Sequence, residues 1–168
     1  MAGAAEDGEA ARKLLDSLQA DLKNLSLETK RKHPGVKESA EEAIVKIRNA
    51  GQSGSKTPLV YLSNQILYPL VQGCETKDPR VVGLCLQVVQ RLITAQALDT
   101  KGSRYVVETM WMLMEAGLQI EVRLLQTLTL LATTNTVCSG DSLARCLVIC
   151  FRLAFSKAGG RNIRYQSH

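Results

Sequence analysis

Gly51-Gln52-Ser53-Gly54-Ser55-Lys56-Thr57 ends in Lys-Thr ahead of an apolar helical pattern, as a phosphate-binding loop does. That loop needs glycine directly before the lysine, so that backbone can approach phosphate, and another glycine five residues earlier. Ser55 and Ala50 stand at those positions, and no strand pattern precedes them. The stretch therefore reads as a flexible linker. His33 lies beside Pro34 at a helix end, where it suits a capping cation better than a general base. Glu41 and Glu42 are adjacent, so they diverge on a helix and fit a solvated face rather than an acid–base pair. Cys146 and Cys150 share one helix face and supply two metal ligands at most. There is no CxxC, and both histidines are distant in sequence, so neither a metal nor another cofactor is expected. No Ser-His-Asp or Cys-His arrangement is present. These residues do not predict an enzyme.

The five cysteines, Cys74, Cys85, Cys138, Cys146 and Cys150, are odd in number and sit mostly in apolar helical runs. They read as reduced thiols serving as small core residues in a cytoplasmic protein. The 168 residues suffice for one domain with a real core. The formal charge of +5 is uneven: Arg145, Arg152, Lys157, Arg161 and Arg164 follow the last acid, Asp141. That bias suits an acidic protein face or anionic lipid. It is too sparse, with too few aromatics, for nucleic acid. The N-terminus lacks the apolar segment of a secretory signal. No apolar run approaches membrane-spanning length, so membrane contact is expected to be peripheral.

What positions these residues is helical throughout. Arg80 to Thr94 places Arg80, Gly83, Gln87, Gln90, Arg91 and Thr94 in one narrow polar stripe, and everything else is Val, Leu, Ile or Cys. A helix apolar on so many sides needs neighbours on several sides. Asp78-Pro79 supplies an N-cap and a proline at the first helical position. Six other helices are predicted, over about 9–32, 34–49, 57–73, 103–117, 121–134 and 139–155. Pro69 should bend the third or tighten its last turn before Gly73 stops it. Residues 1–8 are expected to be disordered, 9–157 to form the domain, and 158–168 a flexible tail beyond Gly159-Gly160. No segment shows sustained period-2 alternation, so the fold class is all-α. The third and fifth helices, and the fourth and sixth, start at intervals near the ~40–47 residues of HEAT and armadillo repeats. That spacing predicts a stacked repeat rather than a closed bundle.

In such a stack, equivalent helices line up and their exposed stripes join. Arg80, Gln87 and Arg91 on helix four, Arg123 and Thr127 on helix six, and Arg145, Ile149 and Arg152 on helix seven then form one surface. No acid falls among these positions, so the surface is expected to attract an acidic partner or anionic lipid. Tyr105 and Met112, on the polar side of helix five, form a second candidate.

Several segments resemble one family. They include Lys13-Leu14-Leu15 with Leu18-Gln19-Ala20-Asp21-Leu22, Pro34-Gly35-Val36-Lys37-Glu38, Gly73-Cys74-Glu75-Thr76-Lys77-Asp78-Pro79, Gln90-Arg91-Leu92-Ile93, Thr133-Thr134-Asn135-Thr136-Val137 and Cys150-Phe151-Arg152-Leu153. Together they are similar to the N-terminal dimerisation and cyclophilin-binding (DCB) domain of Mon-two-like proteins, relatives of the large Golgi Arf exchange factors. The likeness runs in order from about Ala11 to Lys157. It implies a helical-repeat module, without an exchange domain, of a large peripheral scaffold in Golgi and endosome traffic. The partners it implies are Arf-like small GTPases, Dopey-type scaffolds, other domains of the same protein, and a second copy. Set against it is a generic helical-repeat adaptor with an unrelated soluble partner.

Overall fold

Asp78 fixes the start of the central helix. Its side chain accepts from the Arg80 amide at 3.1 Å, and Pro79 takes the first helical position. The computed structural model describes residues 2–52, 59–134 and 140–165. These form α1 (Ala2–Thr29), α2 (Pro34–Gln52), α3 (Leu59–Glu75), α4 (Pro79–Thr94), α5 (Thr100–Glu115), α6 (Glu121–Thr134) and α7 (Asp141–Tyr165), with no strand among the described residues.

The helices pack in two layers. α1, α4 and α6 follow one another in the first, and α2, α3, α5 and α7 in the second. α1 packs on α2, α3 on α4, and α5 on α6 across the layers. This is the all-α stacked repeat that the intervals predict. α4 touches α1, α3 and α6. It buries Val81, Val82, Gly83, Cys85, Leu86, Val88, Val89, Leu92 and Ile93, leaving Gln87 in water. Its end is closed by a Schellman pair: the Ala97 amide donates to the Leu92 carbonyl and the Gln96 amide to that of Ile93, with Gln96 at φ 53°. Between α1 and α2, the small side chains of Ala40 and Ala43 face Leu18, Leu22 and Leu25 in one continuous core.

Three boundaries differ from the sequence expectations. α1 begins at Ala2 rather than near Glu9; Ala2, Ala4 and Ala5 are strong helix formers and no proline intervenes. α7 crosses Gly159-Gly160 and reaches Tyr165, because two glycines weaken a helix by only about 1 kcal/mol each. α3 passes Gly73 and ends at Glu75, and Lys77, at φ 56°, makes the left-handed exit. Gly73 serves packing instead: a Cβ there would overlap Cys85 Sγ on α4. Most of the linker around Lys56 lies outside the described residues, as does Cys138.

Candidate docking surfaces

α7 buries Cys146, Ile149 and Leu153 at spacings of three and four. Ile149 is fully buried, which corrects its expected place on the water-facing stripe. The expectation rested on Arg145 and Arg152 marking the solvent side. In fact both turn along the edge of the buried face toward α5. Arg145 Nη1 lies 4.0 Å from Glu108 Oε1, and Arg152 Nη1 lies 2.6 Å from Glu115 Oε1. Their guanidinium carbons sit 5.6 and 5.1 Å from the centre of the Trp111 ring, within cation–π range.

With the arginines laid on α5, the outer face of α7 is apolar. Leu147, Val148, Phe151 and Phe155 are 44–71% exposed, with Ala144 in line with them. Single exposed apolar residues are ordinary, but four large ones on one helical face mark a contact surface. The spacing 144, 147/148, 151, 155 was visible in the sequence. The helix carries a polar stripe too, and polar stripes usually face water, which hides this face in the sequence.

The arginines of α4 and α6 are also engaged. Arg80 Nη2 donates to Glu28 Oε1 at 3.0 Å, and Arg91 Nε donates to Asp21 Oδ2 at 2.8 Å, both on α1. Arg123 Nη1 donates to the Gly83 carbonyl at 3.0 Å, and Gly83 leaves room for it. Thr127 is fully buried and accepts from Gln90 Nε2 at 3.0 Å. The expected single-sign surface is therefore corrected: Asp21, Glu28, Glu108 and Glu115 interleave with it, supplied by helices other than those that carry the arginines. Nor do Arg145 and Arg152 extend the α4–α6 stripe, since α7 follows α5 in the opposite layer. Gln87 remains exposed beside a shallow cleft shared with Gln90, Arg123 and Gln126.

Tyr105 is exposed on α5, while Met112 is half-buried against the core. Tyr61 and Tyr68 are exposed on α3, the next helix in the layer. Sequence reading missed these two because α3 is apolar enough to pass as core throughout.

Basic residues gather at one end of the stack, with two carboxylates among them. Leu27, Glu28, Lys30, Arg31, Lys32, Asp78, Arg80 and Val81 line a cleft of about 540 Å3 where the α1–α2 and α3–α4 turns meet. Arg80 answers Glu28. His33 Nε2 lies 3.6 Å from Asp78 Oδ2, an ion-pair distance too long for a hydrogen bond. Burial alone would raise the Asp78 carboxyl, but the hydrogen bond from the Arg80 amide, with the His33 ring close by, holds it below its ordinary value. Lys30, Arg31, Lys32 and Lys77 are exposed and make no close ion pair among the described residues, although Lys30 and Lys32 act at longer range on Glu41 and Asp78.

Two of the described thiols are held in the neutral form. Cys85 and Cys74 are buried against each other, and the Cys74 contact, then burial, push the Cys85 thiol far up. A thiol so held is no nucleophile. Burial also raises Cys150.

Known proteins resemble the chain over most of its length. Residues 9–163 match the model of the Mon2/Sec7/BIG1-like dimerisation and cyclophilin-binding (DCB) domain. The Protein MON2 homolog of Drosophila melanogaster is 54% identical over 150 residues, 89% of this chain and 9% of that protein. The Protein MON2 homolog of Homo sapiens is 40% identical over 151 residues, again 89% and 9%. Monensin-resistant homolog 2 of Caenorhabditis elegans is 40% identical over 152 residues, 88% and 9%. The chain thus spans about a tenth of the length of these relatives. No solved structure matches it.

Proposed function

The chain belongs to the Mon2/Sec7/BIG1-like DCB family, and from that premise we propose that it is a non-catalytic docking module of a large trafficking scaffold on Golgi and endosomal membranes. The observation that carries this reading is the open α7 face of Leu147, Val148, Phe151 and Phe155. It is an apolar contact surface, and no catalytic constellation lies beside it among the described residues. The dimerisation named in the family description supports a second copy of this chain as its occupant. A face of this kind pairs isologously, so each apolar side chain is used twice about a two-fold axis. Arf-like GTPases, Dopey-type scaffolds and other domains of the same protein are further partners of the module, brought in through the remaining exposed surface.

Sedimentation equilibrium of the chain tests the reading. A concentration-dependent dimer is expected, and Phe151→Glu should dissociate it, because two carboxylates would then face each other in an apolar seam. A monomer at every concentration, or a Phe151→Glu dimer as tight as the parent, overturns self-association through α7. Pull-down against GTP- and GDP-loaded Arf-family proteins then separates a trafficking module from a generic adaptor.

A further inference from the structure

α4 and α6 lie side by side in the first layer, and the α7 contact proposed above does not use the groove between them. We propose that this groove receives an extended peptide segment of a partner protein, one that carries an aliphatic side chain and a carboxylate two positions apart.

The groove has two adjoining parts. The first, of about 430 Å3, is walled by Gln87 and Gln90 from α4 and by Arg123 and Gln126 from α6. The second, of about 540 Å3, continues from Gln90 and Gln126 over Val122, Leu125, Thr129 and Leu130. A run of amides therefore leads into a largely apolar bed. Gln87 and Gln126 are exposed and make no side-chain hydrogen bond among the described residues. Gln90 is held in place: its Nε2 donates to Thr127 Oγ1 at 3.0 Å, and that hydroxyl donates to the Arg123 carbonyl at 2.8 Å. A side-chain amide both donates and accepts without charge, which is what a peptide group needs along its edge. A bound helix has little use for such amides, because its backbone already pairs with itself. An extended segment brings every N–H and C=O unspent. The amides therefore favour an extended occupant over a helical one.

Arg123 sets the charge of that occupant. Arg80, Arg91, Arg145 and Arg152 each meet a carboxylate. Arg123 meets a neutral carbonyl instead, that of Gly83, and the missing side chain of Gly83 lets the guanidinium lie against α4. Glu121 also lines the first part, but it stands about 200° around α6 from Arg123 and makes no ion pair with it among the described residues. The guanidinium is thus held in place with donors to spare, as capture of a carboxylate requires. The apolar bed centres about four residues beyond Arg123, roughly 6 Å along the helix axis. Side chains two positions apart in an extended chain share a face and stand about 6.6 Å apart. That match gives the spacing of carboxylate and aliphatic side chain.

The test pans short random peptides displayed on phage against the 168-residue chain. Selected peptides should share a Leu, Ile or Val and an Asp or Glu two positions apart. Fluorescence anisotropy of one such synthetic peptide should show about tenfold weaker binding to Arg123→Gln, with the variant melting close to the parent. Exchanging the peptide's acid for its amide should weaken binding as much, and the two losses should not add. Arg123→Glu, panned separately, should select Lys or Arg in place of the acid. Val122→Asp, at an exposed position on the apolar bed, is the second variant should Arg123 variants prove unstable, and it should also weaken binding. Phe151→Glu should bind the peptide as the parent does, so loss of the α7 dimer leaves this inference standing. No selected peptide, a peptide indifferent to Arg123 and Val122, or apolar residues selected at the helical spacing of three and four would each overturn the proposal.

Discussion

Arg91 Nε donates to Asp21 Oδ2 at 2.8 Å, joining α4 to α1 across 70 residues of sequence. Both side chains are partly shielded, so the pair is worth more than a freely solvated one. A double-mutant cycle of Asp21→Ala and Arg91→Ala should return a coupling of about 1 kcal/mol that weakens with salt. Coupling indistinguishable from zero in urea melts would show that the two layers-mates are held by apolar contact alone.

The next residues inward set a sharper contrast. Leu86 is fully buried on α4, and Gln87 beside it is exposed. Leu86→Asp should unfold the domain, because an unpaired buried carboxylate costs several kcal/mol against a total of ~5–15 kcal/mol. Gln87→Asp should fall within about 0.5 kcal/mol of the parent. Thermal melts that harm both variants equally would reject the stacked arrangement around α4.

That contrast was legible in the sequence because α4 has one polar stripe and a single consistent reading. Trp111 shows where legibility ended. Arg145 and Arg152 lean over its ring toward α5, and no periodicity on α7 records what α5 presents to it. The same holds for Arg80 and Arg91, whose acids come from α1. Helix positions and layer order follow from local pattern, whereas the charge of a composite surface depends on which helices meet. The basic cleft needed the fold as well: Lys30-Arg31-Lys32 is contiguous, but Arg80 joins it only when two turns come together.

Asp78 links a cap to acid stability. Its carboxyl is held below its ordinary value when folded, so the unfolded chain binds its proton first as pH falls. The stabilisation is full above the unfolded value and is lost as pH drops through the lowered folded one. Asp78→Asn keeps a comparable N-cap but cannot titrate. It should be slightly less stable than the parent at about pH 7 and lose less stability than the parent on going to about pH 3. Asp78→Ala should lose about 1 kcal/mol already at neutral pH. Urea melts across that range check both, and an Asn variant as acid-sensitive as the parent would assign the acid limb to other carboxylates.

Gly73 and Cys85 give the most local test of how α3 meets α4. A glycine inside a helix normally weakens it by about 1 kcal/mol relative to alanine, so Gly73→Ala would be stabilising if space allowed. Space does not allow it: the new Cβ would overlap Cys85 Sγ and press on Val81 Cγ1, 3.4 Å away, with Val36 Cγ1 at 3.7 Å. All three neighbours are buried and belong to the same core, so none can swing into solvent. Overpacking of this kind costs about 1–3 kcal/mol, which outweighs the gain in helix propensity. Gly73→Ala should therefore destabilise. Cys85→Ala removes the offending sulfur and leaves a small void, a modest loss by itself. Combined, the two should be less harmful than their sum, because the added methyl occupies space the sulfur vacates. Stabilities from urea melts of the parent, both single variants and the double decide it. Strict additivity would mean that α3 shifts away from α4 instead of compressing against Cys85.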